Sequence, residues 1–166
     1  MIIPILKGLI TYLPGVNIHK LKNLAATPAE YYYSVWMRHI ILAHQNGLNT
    51  NPHTLAEFGP GGSIGIGLMA LLCGTDKYFA FDIVTHISLK TNLQIFDELV
   101  QLLKNRSSIS NSGACQNVKP DLASYDFPSH ILTTQRLNQS LHPKRIQEIR
   151  ECLISGLAVG NIEIRY

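Results

Sequence analysis

Charge is scarce in this chain: 14 Lys and Arg stand against 11 Asp and Glu among 166 residues, leaving a net charge of +3. With basic residues scattered, that balance leaves no electrostatic footprint for a nucleic acid. The densest basic group, Lys144, Arg145 and Arg150, alternates with Glu148 and Glu151 and reads as a solvated helix face. Cysteine is thin as well. Cys73, Cys115 and Cys152 form no C-x-x-C pair, and an odd, dispersed set argues for reduced thiols in a cytoplasmic setting rather than a disulfide framework. Of the seven histidines, His39 and His44 share a segment, but a spacing of five does not put both on one helix face, so no metal is expected. No apolar run is long enough to span a bilayer. Met1–Pro14 is broken by Pro4 and Lys7 and lacks a basic start and a small-residue cleavage site, so packing against the domain is expected, with shallow membrane contact the sharper alternative. No internal repeat is present. What remains, 46% hydrophobic residues, suffices for one domain with a real core.

The informative stretch is Thr54-Leu-Ala-Glu-Phe-Gly-Pro-Gly-Gly-Ser-Ile-Gly-Ile-Gly67, followed by an apolar run and by Tyr78-Phe-Ala-Phe-Asp82. Thr54 to Phe58 reads as a short buried strand. Gly59 and Gly61 permit a sharp exit and close approach of a ligand, Ser63 offers a first donor to the next helix, and Ile64 to Leu72 is apolar all round, as a buried helix requires. Cys73-Gly74 stops that helix, with Gly74 suited to a left-handed cap. A second strand then runs from Tyr78 to Phe81 and ends on Asp82, 21 residues after Gly61, where an acid that accepts ribose hydroxyls is expected. The plain alternative is a turn that only reverses the chain, with Asp82 a solvated strand end.

Two cofactor classes use such a corner. A nicotinamide or flavin site asks for G-x-G-x-x-G, but Ile64 stands where the third glycine belongs and Gly65 comes one position late. Glu57 discriminates further, because a carboxylate at the end of the first strand suits a cationic ligand, and S-adenosylmethionine carries both an ammonium and a sulfonium. Glu57-Phe-Gly-Pro-Gly-Gly-Ser63 resembles the first motif, E-x-G-x-G-x-G, of the class I S-adenosylmethionine-dependent methyltransferases, with Ser63 departing from the third glycine. Phe81-Asp82 resembles the acid ending their second strand. Tyr33-Ser-Val-Trp-Met-Arg-His39 and Ser124-Tyr-Asp-Phe-Pro-Ser-His130 extend the likeness toward a group of bacterial methyltransferases associated with surface-polysaccharide genes. The resemblance implies S-adenosylmethionine as cofactor. Gly59, Pro60, Gly61 and Ser63 would form the turn around it, Gly59 and Gly61 lying along the methionine moiety. Glu57 would help hold the ligand directly or through water, Asp82 would bind the ribose, and Tyr33 and Trp36 would close over it.

Elsewhere, Thr27-Pro-Ala-Glu30 predicts a capping box opening a helix to about Asn46. Tyr32, Trp36, Ile40 and Ala43 share its core stripe, with Tyr31 and Tyr33 pointing elsewhere. From His86 to about Lys104, Leu89, Leu93, Phe96, Val100 and Leu103 recur with helical period. Residues 105–129 read as a loop that either covers a site or is a surface insertion. Pro143 to Leu157 is helical, ended by Gly160, and Asn161–Tyr166 reads as a third strand.

The expected fold is therefore α/β: residues 1–50 form a helical amino-terminal segment covering the cofactor site, and residues 51–166 form the amino-terminal half of a Rossmann-like methyltransferase domain. That half carries strands 1–3 of a doubly wound sheet and a long helical and loop insertion at about 86–158. Strand 1 would be an open edge able to pair with another chain, giving a homo-oligomer. The resemblance draws acceptor-binding and acid–base residues from strand 4 onward, so no catalytic residue is named. The expectation is a truncated methyltransferase whose acceptor is a small molecule or glycan-related. The alternative is an inactive fragment acting as an interaction or self-associating protein; a nicotinamide oxidoreductase is disfavoured by Glu57 and Ile64.

Overall fold

The computed structural model describes residues 27–83 and 87–166. The Met1–Pro14 run and the helix start expected at His86 lie outside the described residues. Helix α1 (Ala29–Gln45) is followed by strand β1 (Thr54–Phe58), helix α2 (Gly65–Leu72), strand β2 (Lys77–Phe81) and helix α3 (Leu89–Lys104). Helices α4 (Thr134–Ser140) and α5 (Pro143–Ser155) then precede strand β3 (Glu163–Arg165). The strands form one open parallel sheet in the order β1-β2-β3, with Leu55 beside Tyr78 and Tyr78 beside Ile164. This α/β architecture is compatible with a partial Rossmann-like fold.

Packing explains why α2 is apolar all round. It touches β1 and β2 on one side and α1 and α3 on the other, so Leu68 to Leu72 are all fully buried. Its two glycines answer to neighbours. A Cβ at Gly65 would fall 2.3 Å from the Tyr32 ring, and one at Gly67 would fall 2.3 Å from the Tyr78 ring. Gly65, one position late for a dinucleotide motif, is thus a packing glycine.

Several expectations need correction. The capping box does not form: Pro28 is itself the extended N-cap residue of α1, with ψ 155°, and no side chain caps the first turn, because Thr27 lies one residue too early. Tyr33, expected to point away from the core, is buried, since α1 is gripped on a second side by residues 107–125. Its hydroxyl donates to the Ser107 carbonyl, and buried Arg38 donates to the carbonyls of Ser34, Ser110 and Pro120. The loop after α3 is therefore latched onto α1. Strand β1 is not buried either. Leu55 and Glu57 face the helices half-buried, while Thr54, Ala56 and Phe58 are exposed on the opposite face. Helix α4 has no counterpart in the sequence expectations. It is short, sends only Leu137 and Ser140 inward, and is held by Arg136, which donates to the Cys73 and Thr50 carbonyls. Helix α5 ends at Gly156, whose left-handed φ of 68° closes it before Gly160.

Candidate functional site

The carboxyl ends of β1 and β2 lie side by side, with Phe58 in register with Phe81, so the residues that follow each strand meet. Gly59 continues the ladder by donating its N–H to the Phe81 carbonyl at 2.8 Å. The chain then turns through Gly59 and Gly61, both left-handed at φ 69° and 71°, a conformation that disfavours any side chain with a Cβ. That turn aims the Gly61 N–H at Asp82. The Asp82 carboxylate accepts from Gly61 N at 3.0 Å through Oδ2 and from Ile83 N at 2.7 Å through Oδ1. The glycine turn and the acid read from sequence as two halves of one corner are in direct contact.

Glu57 reaches the same end of the sheet from the helix-covered face. Its Oε2 accepts the Tyr78 hydroxyl at 2.6 Å. Burial pushes its carboxyl above the ordinary range, partly opposed by the Tyr78 hydrogen bond and by His39 nearby. The same burial, together with the adjacent carboxylate, pushes the Tyr78 phenol upward, so the phenol is the donor.

Ser63 is engaged within the fold. It is buried, donates its hydroxyl to Asn92 Oδ1 at 2.8 Å, and accepts the Gly65 N–H at 3.2 Å. Asn92, fully buried on α3, also accepts the Ile64 N–H at 3.1 Å and donates through Nδ2 to the Ser88 carbonyl. A helix amino terminus with free N–H groups is a ready anion site. Here the Ile64 and Gly65 N–H groups at the start of α2 are taken by neutral side-chain oxygens, and Gly61 is taken by a carboxylate.

A cleft of about 170 Å³ opens at the corner, lined by Pro60, Gly61, Ala80, Phe81, Asp82, Ile87 and Tyr166. Among the described residues, its lining carries one carboxylate and no basic side chain. Of the residues expected to bind cofactor, Pro60, Gly61 and Asp82 line this cleft, Gly59 shapes the turn, and Glu57, on the helix-covered face of β1, does not line it. Tyr33 and Trp36 do not line it. Both are buried in the core, Tyr33 turned toward Ser107. Tyr78 and Asn92 were missed as site residues because their roles arise from contacts across elements; Tyr166 was read only as the end of a strand. Among the described residues, no group of three or more His, Cys, Asp or Glu is placed to hold a metal ion.

No family model matches the chain, and no curated protein or solved structure matches it.

Proposed function

We propose that the corner formed by Glu57, Gly59 to Gly61 and Asp82 binds S-adenosylmethionine and that the chain serves methyl transfer. The observation that carries this reading is the 3.0 Å contact between the Gly61 N–H and the Asp82 carboxylate, because it joins a left-handed glycine turn to an acid at the end of the adjacent parallel strand. Two further features favour a cationic nucleoside over a phosphorylated dinucleotide. Asn92 and Ser63 engage the Ile64 and Gly65 N–H groups at the start of α2, and among the described residues the corner holds two carboxylates, Glu57 and Asp82, with no basic side chain in the cleft lining. A pyrophosphate would meet repulsion from Asp82 and would find the Gly61, Ile64 and Gly65 N–H groups already engaged.

In this reading Asp82 engages the ribose hydroxyls, the glycine turn lies along the methionine moiety, and Glu57 offsets the ligand's positive charge. The acceptor's oxygen, nitrogen or carbon attacks the sulfonium methyl in line and S-adenosylhomocysteine leaves, with most of the acceleration coming from positioning. Sites for ligands of this size run to about 300–1,000 Å³. The cleft therefore seats part of the cofactor, the rest lying over the open strand ends. The favoured acceptor is a small molecule or glycan-related.

Asp82→Ala removes the charge-assisted acceptor, and hydrogen bonds to charged groups are worth about 1.5–3 kcal/mol. Calorimetry should find adenosylmethionine affinity reduced at least about tenfold. Unchanged affinity would sink the assignment of Asp82.

A second reading, self-association, is favoured by a specific observation. The outer edge of β1 is unpaired among the described residues, and Phe58 at its end is 83% exposed. Exposed edges of this kind template pairing with another chain.

A further inference from the structure

We propose that Tyr78 is a positioning residue for the cofactor corner: its phenol holds the Glu57 carboxylate in the orientation and charge state that receive a cationic ligand. The inference rests on the reading of the corner as an adenosylmethionine site and adds a residue that no motif names.

The geometry is specific. Tyr78 lies on the central strand and is fully buried, and it pairs with Leu55, two residues before Glu57 on the same face of β1. Its ring lies over Gly67 of α2 so closely that a Cβ there would sit 2.3 Å from Cζ. The ring is thus wedged between sheet and helix, and its hydroxyl ends 2.6 Å from Glu57 Oε2. A donor on a locked ring fixes a carboxylate in a way that a flexible side chain does not. Among the described residues, the titratable groups bearing on Glu57 are Tyr78 from β2 and His39 from α1; the first donates to it and the second favours its charged form. Burial works in the opposite direction. Without the phenol, Glu57 would take up a proton at higher pH and its side chain would be free to leave the strand end. Tyr78 acts through Glu57 and touches no reacting atom, so it positions rather than catalyses.

Tyr78→Phe keeps the ring and its packing and removes the donor. Titrating the full chain with S-adenosylmethionine across pH 5–8, wild type should lose affinity as pH falls through the Glu57 transition. The variant should bind about tenfold more weakly at neutral pH, with that transition moved upward, while its unfolding stays cooperative. Equal affinity and an unmoved transition would overturn the inference. Should wild type bind no adenosylmethionine at any pH, the proposed function fails instead, and carbon NMR titration of the Glu57 carboxyl decides Tyr78 alone: an upward shift in the variant supports it and no shift overturns it. If Tyr78→Phe does not fold, fluorotyrosine placed at position 78, nearly isosteric and a stronger donor, should lower the Glu57 transition, and an unmoved transition would refute the idea.

Discussion

Glu57 is held at a cost to folding. Its carboxyl is raised by burial above the ordinary range, so folding favours the protonated form more than the unfolded chain does. The sign follows directly: this contribution to stability is fully present below the ordinary carboxylate range and is lost as pH rises through the raised value. Glu57→Gln, still able to accept from Tyr78, should therefore raise the melting temperature at neutral pH and flatten its acid-side dependence. The same change should weaken adenosylmethionine binding. Thermal unfolding from pH 4 to 8 beside a binding titration reads both, and a variant less stable at pH 7 would contradict this account of Glu57. Other polar contacts here are structural. Arg38 donates to the carbonyls of Ser34, Ser110 and Pro120 and to the Ser34 hydroxyl and lies over the Tyr125 ring, and Cys73 is fully enclosed, its thiol pushed up to about 12 by burial.

Helix α2 owes its position to contacts that run across elements rather than along its own sequence. Asn92 joins it to α3 by accepting from both Ser63 Oγ and Ile64 N, and it is fully buried. Asn92→Ala would strand two buried donors at the helix start. Urea unfolding should show a loss of about 2–3 kcal/mol, whereas a loss under about 0.5 kcal/mol would mean that water replaces the amide. These elements also separate what could be read in advance from what could not. Strands β1 and β2 and helix α2 were legible from Thr54 to Asp82, because glycines bracket runs of clear apolar character. Helix α3 was legible from the recurrence of Leu89, Leu93, Phe96, Val100 and Leu103. Helix α4 was not, since Asn138, Gln139 and Ser140 carry no period and its anchor, Arg136, bonds to Thr50, 86 residues away. The burial of Tyr33 was invisible for the same reason: its partner is the Ser107 carbonyl, in a loop without a pattern. In the candidate site, the Gly61 and Asp82 halves were readable from spacing. Tyr78 and Asn92 became visible only when strand register and helix packing brought them to Glu57 and Ser63.

Across the whole molecule the sheet is lopsided. The face carrying Leu55, Glu57, Tyr78, Ala80 and Ile164 packs on helices, whereas Thr54, Ala56, Phe58 and Phe81 are exposed on the other. The Phe58 and Phe81 rings stack on that face with centroids 5.4 Å apart. Parallel sheets are ordinarily covered on both faces, so a face that is open beside an edge strand unpaired among the described residues favours association. Light scattering with increasing concentration should show the average mass rising above the monomer. Ala56→Lys, a charge set on the exposed face of the edge strand, should hold the chain as a monomer; if it associates as wild type does, the contact lies elsewhere. Among the described residues, no helix is long and apolar enough to cross a membrane.

The most direct test of the central claim is calorimetric titration of the full chain with S-adenosylmethionine and, separately, with NAD. A corner with two carboxylates and its Gly61, Ile64 and Gly65 N–H groups engaged should give micromolar binding with the methyl donor and no heat with the dinucleotide. Absence of adenosylmethionine binding in a cooperatively folded sample, or NAD binding of equal strength, would contradict it.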